Sequence, residues 1–93
     1  MSIQVPQQEV LLLSAYPNPT TSQITLNYAL ANSGNISIQL TDMSGKILRP
    51  LGIGYQNKGN YLLRFDMSAL PTGIYLIHFE TDTGSVAKKV VKQ

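Results

Sequence analysis

Cysteine is missing from this 93-residue chain, and so is tryptophan. Without cysteine there is no disulfide staple, no thiolate-bound zinc or iron–sulfur cluster, and no cysteine nucleophile. The same absence suits a reducing cytosol, and equally a chain that crosses an oxidising periplasm without misbridging. Charge is scarce: 7 Lys and Arg against 5 Asp and Glu leave a net +2. Nucleic-acid binders carry a denser basic stripe with interleaved aromatics, so that class is set aside. No apolar run approaches the ~20 residues that span a bilayer. The N-terminus shows no basic segment leading into an apolar one, so no signal peptide is expected. Apolar residues nowhere recur at the helical period.

What remains is one small domain, with a modest core and no covalent help. Met1–Ser14 reads as a linker that turns partly into a first strand, Val10 to Ala15, which Tyr16-Pro17-Asn18-Pro19 stops. Each proline biases the residue before it away from the helical region and forces an extended corner. Ile24, Leu26, Tyr28 and Leu30 alternate with polar or small residues, as do Ile36, Ile38 and Leu40, then Tyr61, Leu63 and Phe65. Lys46–Tyr55 is apolar but broken by Pro50, Gly52 and Gly54. Proline cannot donate to a ladder, so this piece is expected at an edge or with a bulge. Turns fall at Asn32-Ser33-Gly34, Asp42–Lys46, Gln56–Asn60 and Asp82-Thr83-Gly84. The pattern predicts an all-β chain, an immunoglobulin-like antiparallel β-sandwich of about seven short strands. Its expected core is Ile24, Leu26, Tyr28, Ile36, Ile38, Leu40, Leu63, Phe65, Tyr75, Ile77 and Phe79.

The last quarter forms a hairpin. Leu70-Pro71-Thr72-Gly73 opens it, Ile74–Thr81 is its first strand and Ser85–Gln93 its second. The second strand is odd: one side holds Val86, Lys88, Val90 and Lys92, the other Ala87, Lys89, Val91 and Gln93. Neither is purely apolar. Lysines on an edge strand discourage unwanted pairing, or a partner reads them.

Catalytic chemistry finds little support. His78, the single histidine, is out of phase with Tyr75, Ile77 and Phe79, so it faces the outside of its strand, and no nucleophile elbow is present. Asp42, Asp66 and Asp82 lie at turns without the alternating carboxylates of a calcium loop. Asp42 and Asp82 read as turn residues bonding their own backbone. Tyr28, Tyr61 and Tyr75 are in phase with the apolar faces, which leaves Tyr16 and Tyr55 as exposed aromatics for a sugar platform. No metal or cofactor is expected.

Taken in order, Tyr16-Pro17-Asn18-Pro19, Asp42-Met43-Ser44-Gly45-Lys46, Leu70-Pro71-Thr72-Gly73-Ile74-Tyr75, Gly84 and the terminal Lys88-Lys89-Val90-Val91-Lys92 resemble the type A C-terminal sorting domain of the type IX (Por) secretion system. The resemblance covers residues 15–93. It implies a domain at the end of a cargo protein that passes through the periplasm to the outer-membrane surface or the medium. Its implied partners are the type IX translocon and shuttle components, and a sortase-like peptidase cutting upstream of Tyr16, within Met1–Ser14. The cargo and its signal peptide would lie outside this chain. By the same resemblance, Gly73, Tyr75, Gly84, Lys88, Lys89, Val90, Val91, Lys92 and Gln93 carry recognition, and Tyr16, Pro17, Asn18 and Pro19 open the domain.

The expectation is then that Gly84–Gln93 is displayed as a basic ribbon on an exposed edge and read by strand addition. Deleting the last five residues should leave the fold largely intact and stop export. Self-association through an open edge strand is a further expectation. The rival readings are an adhesive or carbohydrate-binding module and a small hydrolase using His78.

Overall fold

The computed structural model describes residues 10–82 and 84–93, so Met1–Glu9 and the hairpin residue Thr83 lie outside the described residues. Seven strands follow one another: β1 (Val10–Tyr16), β2 (Gln23–Leu30), β3 (Gly34–Asp42), β4 (Ile47–Gln56), β5 (Gly59–Asp66), β6 (Gly73–Thr81) and β7 (Gly84–Lys92). They form two antiparallel sheets, ordered β1-β2-β5 and β4-β3-β6-β7. The expected all-β sandwich is the observed architecture. Among the described residues no helix is long and apolar enough to cross a membrane.

The alternation seen in the sequence becomes the inner faces of the sheets. Ile24, Leu26, Tyr28 and Leu30 from β2 meet Ile36, Ile38 and Leu40 from β3 and Tyr75, Ile77 and Phe79 from β6. These three strands each have a neighbour on both sides, which is why their inner residues are sealed. Leu63 and Phe65, expected in the core, are only half-buried at its margin. Their strand, β5, pairs with β2 and with no other strand, so one flank of each side chain stays open. The Tyr28 ring stacks on Tyr61 (centroids 5.2 Å apart) and meets Phe79 edge-on at 4.8 Å. Burial pushes the Tyr28 phenol above its ordinary value, and its hydroxyl donates to Gln56 Oε1 at 2.9 Å, which partly offsets that push.

Two core residues came from outside the alternating runs. Met67 follows β5, is fully buried, and donates its N–H to the Ser22 carbonyl at 2.8 Å. Val90 is fully buried from β7. Each fully enclosed aliphatic side chain of this size contributes about 1.5–3 kcal/mol.

β4 is an edge strand with two irregularities against β3, one between Ile38 and Gln39 and one between Leu40 and Thr41. Pro50 falls within that irregular stretch, as its missing donor requires. At the β3–β4 turn the Asp42 carboxylate accepts from the Ser44 N–H (2.9 Å), the Ser44 hydroxyl (2.7 Å) and the Lys46 N–H (3.0 Å). Gly45 in the same turn has φ +92°, a conformation that suits a residue without Cβ.

Candidate functional site

The β6–β7 hairpin is built on a tyrosine. Tyr75 is buried, and its hydroxyl donates back to the Pro71 carbonyl, fixing the turn that leads into β6. Gly73 opens the strand beside that ring; a Cβ there would lie 3.9 Å from Tyr75 Cε2, an ordinary contact. From Gly73 the two strands pair without a break, Gly73 opposite Lys92 through Thr81 opposite Gly84.

The two mixed sides of β7 now have separate identities. Val86, Lys88, Val90 and Lys92 face inward, where Val90 is sealed and Val86 and Lys88 are half-buried. Lys92 is buried as well, at 7% exposure, and its ammonium donates to the carbonyls of Leu70 and Gln93, each at 3.2 Å. A lysine can do this because its long stem is apolar and its head can be satisfied by nearby oxygens. Ser85, Ala87 and Lys89 are exposed on the outer side, with Val91 half-buried among them. A wholly displayed basic ribbon is therefore not what the chain presents. Of its three lysines, Lys89 is exposed, Lys88 half-buried and Lys92 enclosed.

Nor is the edge free over its last residues. β7 ends its sheet, yet the corner that follows β1 lies along it. Asn18 Nδ2 donates to the Lys89 carbonyl at 3.1 Å, and Asn18 Oδ1 accepts from the Val91 N–H at 2.9 Å. The Thr20 N–H donates to the Val91 carbonyl at 2.9 Å, and the Gln93 N–H donates to the Thr20 carbonyl at 2.8 Å. Asn18 thus imitates a strand with its side chain, and Thr20 continues with its backbone as a parallel bridge to Lys92. Thr20 is held in turn: it is buried, and its hydroxyl donates to the Gln23 carbonyl at 2.6 Å. The Tyr16–Pro17 and Asn18–Pro19 bonds of this corner are both cis.

This geometry runs against two expectations. Strand addition over Lys89–Gln93 has no vacant backbone groups to use at Lys89 C=O, Val91 or Gln93 N–H, because Asn18 and Thr20 already hold them. Removing the last five residues would take Val90 out of the core along with every one of those bonds, so the geometry argues that the fold should not be spared. The structure brings the two groups of sequence-marked residues, Tyr16–Pro19 and Lys88–Gln93, into one unit. It leaves Gly84 exposed at the far end of the hairpin. Thr20 was missed because nothing local marks a threonine as a bridge to a strand more than seventy residues later.

The rival chemistries are less well assembled. His78 is half-buried on the outer side of β6, and its Nε2 lies 3.0 Å from the Thr41 hydroxyl. Among the described residues no three His, Cys, Asp or Glu side chains gather as metal ligands. The two exposed tyrosines are apart: Tyr16 belongs to the three-stranded sheet and Tyr55 to the four-stranded one. Tyr16 lines a shallow hollow with Asn27, Asn60, Tyr61 and Leu62.

In comparison with known families, a model described as a secretion system C-terminal sorting domain matches residues 14–93. No curated protein matches the chain.

Proposed function

Since the chain belongs to the type IX family of secretion system C-terminal sorting domains, we propose that it directs an N-terminally attached cargo to the type IX translocon and is then cut away by a sortase-like peptidase. Membership makes it a sorting signal for export across the outer membrane, to the surface or the medium. The finer reading follows from where the pieces lie. The observation that carries it is the joining of the Tyr16–Pro19 corner to the terminal strand, since that turns both ends of the matched region into one surface.

In this reading, the cargo leads into β1, and periplasmic passage precedes translocation. The peptidase cuts on the N-terminal side of β1, where hydrolysis leaves the β1–β2 ladder from Val10 to Tyr16 whole. A cut inside that ladder would have to open hydrogen-bonded backbone first. Shuttle components would meet the domain while it is folded, so its rigid sandwich serves to hold the hairpin in one conformation.

The test is a fusion of this chain to the C-terminus of a periplasmic reporter, expressed in a host with a type IX system. The reporter is expected on the surface or in the medium, shortened by the mass of the sandwich. A reporter retained in the periplasm at full length contradicts the proposal. A carbohydrate-binding role would show instead as retention on a polysaccharide column that Tyr16→Ala abolishes.

A further inference from the structure

We propose that the hairpin is read on its outer face around Lys89 rather than along its edge, by a protein surface that offers a carboxylate within an apolar rim, and that Asn18 is the positioning residue for that face. This rests on the sorting role above.

Three routes to β7 are conceivable; the inner one is taken, and the edge is taken from Lys89 onward. Its inner side is core: Val90 and Lys92 are buried there, opposite the buried Tyr75 and the opening Gly73. The edge over its last residues is held by Asn18 and Thr20. The outer face remains. There Lys89 is paired with Leu76, which is paired with Thr41, which is paired with Ile47, so one row crosses the whole four-stranded sheet. The next pair beyond is Ile74 with Val91. Ile47 is 54% exposed and Ile74 43% exposed, with Leu76 and Val91 half-buried between them and Lys89. Leu76, Val91 and Ile74 border a Lys89 ammonium that has no hydrogen-bond or ion-pair partner among the described residues, with Ile47 extending the apolar row about three strand spacings further.

Charge decides what fits. The nearest outward carboxylate on the hairpin is Glu80, paired with Ser85, four residues along β6 from Leu76. At ~3.3 Å per residue that is roughly 13 Å away, beyond a Debye length of about 8 Å in physiological salt. The Asp42 carboxylate is already occupied by Ser44 and Lys46. The ammonium of Lys89 thus stands unanswered in an apolar setting, and a partner carboxylate that excludes water there gains a charge-assisted bond. Asn18 acts through β7: by holding Lys89 C=O and Val91 N–H it fixes the side chains of those two residues on the outer face.

The test uses the reporter fusion in a type IX host, with purified copies melted in parallel. Lys89→Glu is expected to lower exported reporter by roughly tenfold, the effect of a single lost charged contact, with an unchanged melting temperature. Lys89→Arg is expected to restore it, Ile74→Asp to lower it likewise, and Arg64→Glu on the three-stranded sheet to leave it alone. Asn18→Ala should lower export in step with faster exchange of the Val91 amide. Export of Lys89→Glu at the unaltered level overturns this proposal alone, as does increased export by Asn18→Ala, which would mean that the edge is what the partner reads. Failure of the unaltered fusion to leave the cell overturns the sorting role and this proposal with it.

Discussion

Along one side of the sandwich β1 and β7 run together, and the Asn18–Thr20 corner sews them with hydrogen bonds to Lys89, Val91 and Gln93. Along the other, β4 and β5 end their sheets, and side chains reach across from β4, Gln56 to the Tyr28 hydroxyl and Arg49 to the end of β5. The Arg49 guanidinium donates to the Asp66 carbonyl at 2.6 Å and lies 5.8 Å above the Phe65 ring. Ladder alternation sharpens the contrast, because a residue in an antiparallel strand points its N–H and C=O to the same side. Val91 points outward, so β6 uses its even residues to bond β3, and β3 uses Ile36 and Ile38 to bond Gly54 and Gly52. Ile53 and Tyr55 then turn their backbone groups to the open edge, with side chains 84% and 65% exposed. An edge closed from Lys89 onward carries lysines it hardly needs there for protection, while the open one is uncharged from Leu51 to Gln56. Lysines on β7 are thus better explained by what reads or packs around them than by edge protection.

The largest expected effect lies on the sewn side. Deleting Lys89–Gln93 should destabilise the domain by at least ~3 kcal/mol, from loss of the buried Val90 plus several hydrogen bonds, and urea unfolding measures it. An intact transition at the original midpoint would erase the difference between the sides. Val90→Ala alone removes part of a fully buried side chain and should cost about 1–2 kcal/mol. Next comes Asn18→Ala, at about 1–2 kcal/mol for its two amide bonds, against about 0.5–1 kcal/mol for the exposed Arg49→Ala. A reversed order in chemical denaturation would break the comparison.

Acid should weaken both ends by a smaller amount. Ser44 and Lys46 hold the Asp42 carboxyl below its ordinary value, and the Ser68 N–H and hydroxyl do the same for Asp66 at the end of β5. A carboxyl with a lowered folded value contributes stability above its unfolded value and loses it as pH falls through the folded one. The melting temperature should therefore be flat above about pH 5 and decline below about pH 4, and Asp42→Asn should shrink that decline. Smallest of all, Ile53→Lys should change stability by no more than ~0.5 kcal/mol. The same substitution should reduce self-association of the isolated domain seen by sedimentation, since β4 is an open edge, uncharged from Leu51 to Gln56, that a second copy could pair with. Association that survives it would point to another sheet-ending strand, β5 or β7.

Much of this was legible before any coordinates. Alternation in β2, β3 and β6 identified the inner residues of strands that have neighbours on both sides, and Pro50 foretold an irregular edge. Pairing partners were another matter. Leu63 and Phe65 alternate as well as Ile24 and Leu26 do, and nothing in their spacing says that β5 has a single neighbour. The mixed sides of β7 stayed ambiguous for a physical reason: lysine can bury its stem and satisfy its head on carbonyls, as Lys92 does with Leu70. The closing of the edge by Asn18 was out of reach, because an asparagine between two prolines reads as a turn residue and its bonds go to a strand 71 and 73 positions away.

Residue-by-residue amide hydrogen exchange on the folded domain tests the contrast most directly. The account predicts slow exchange at Val91 and Gln93, although both face outward from a terminal strand, and fast exchange at Ile53 and Tyr55. It also predicts that Asn18→Ala frees Val91 while leaving Ile77 and Phe79 protected. Fast exchange at Val91 and Gln93 in the unaltered domain would contradict it.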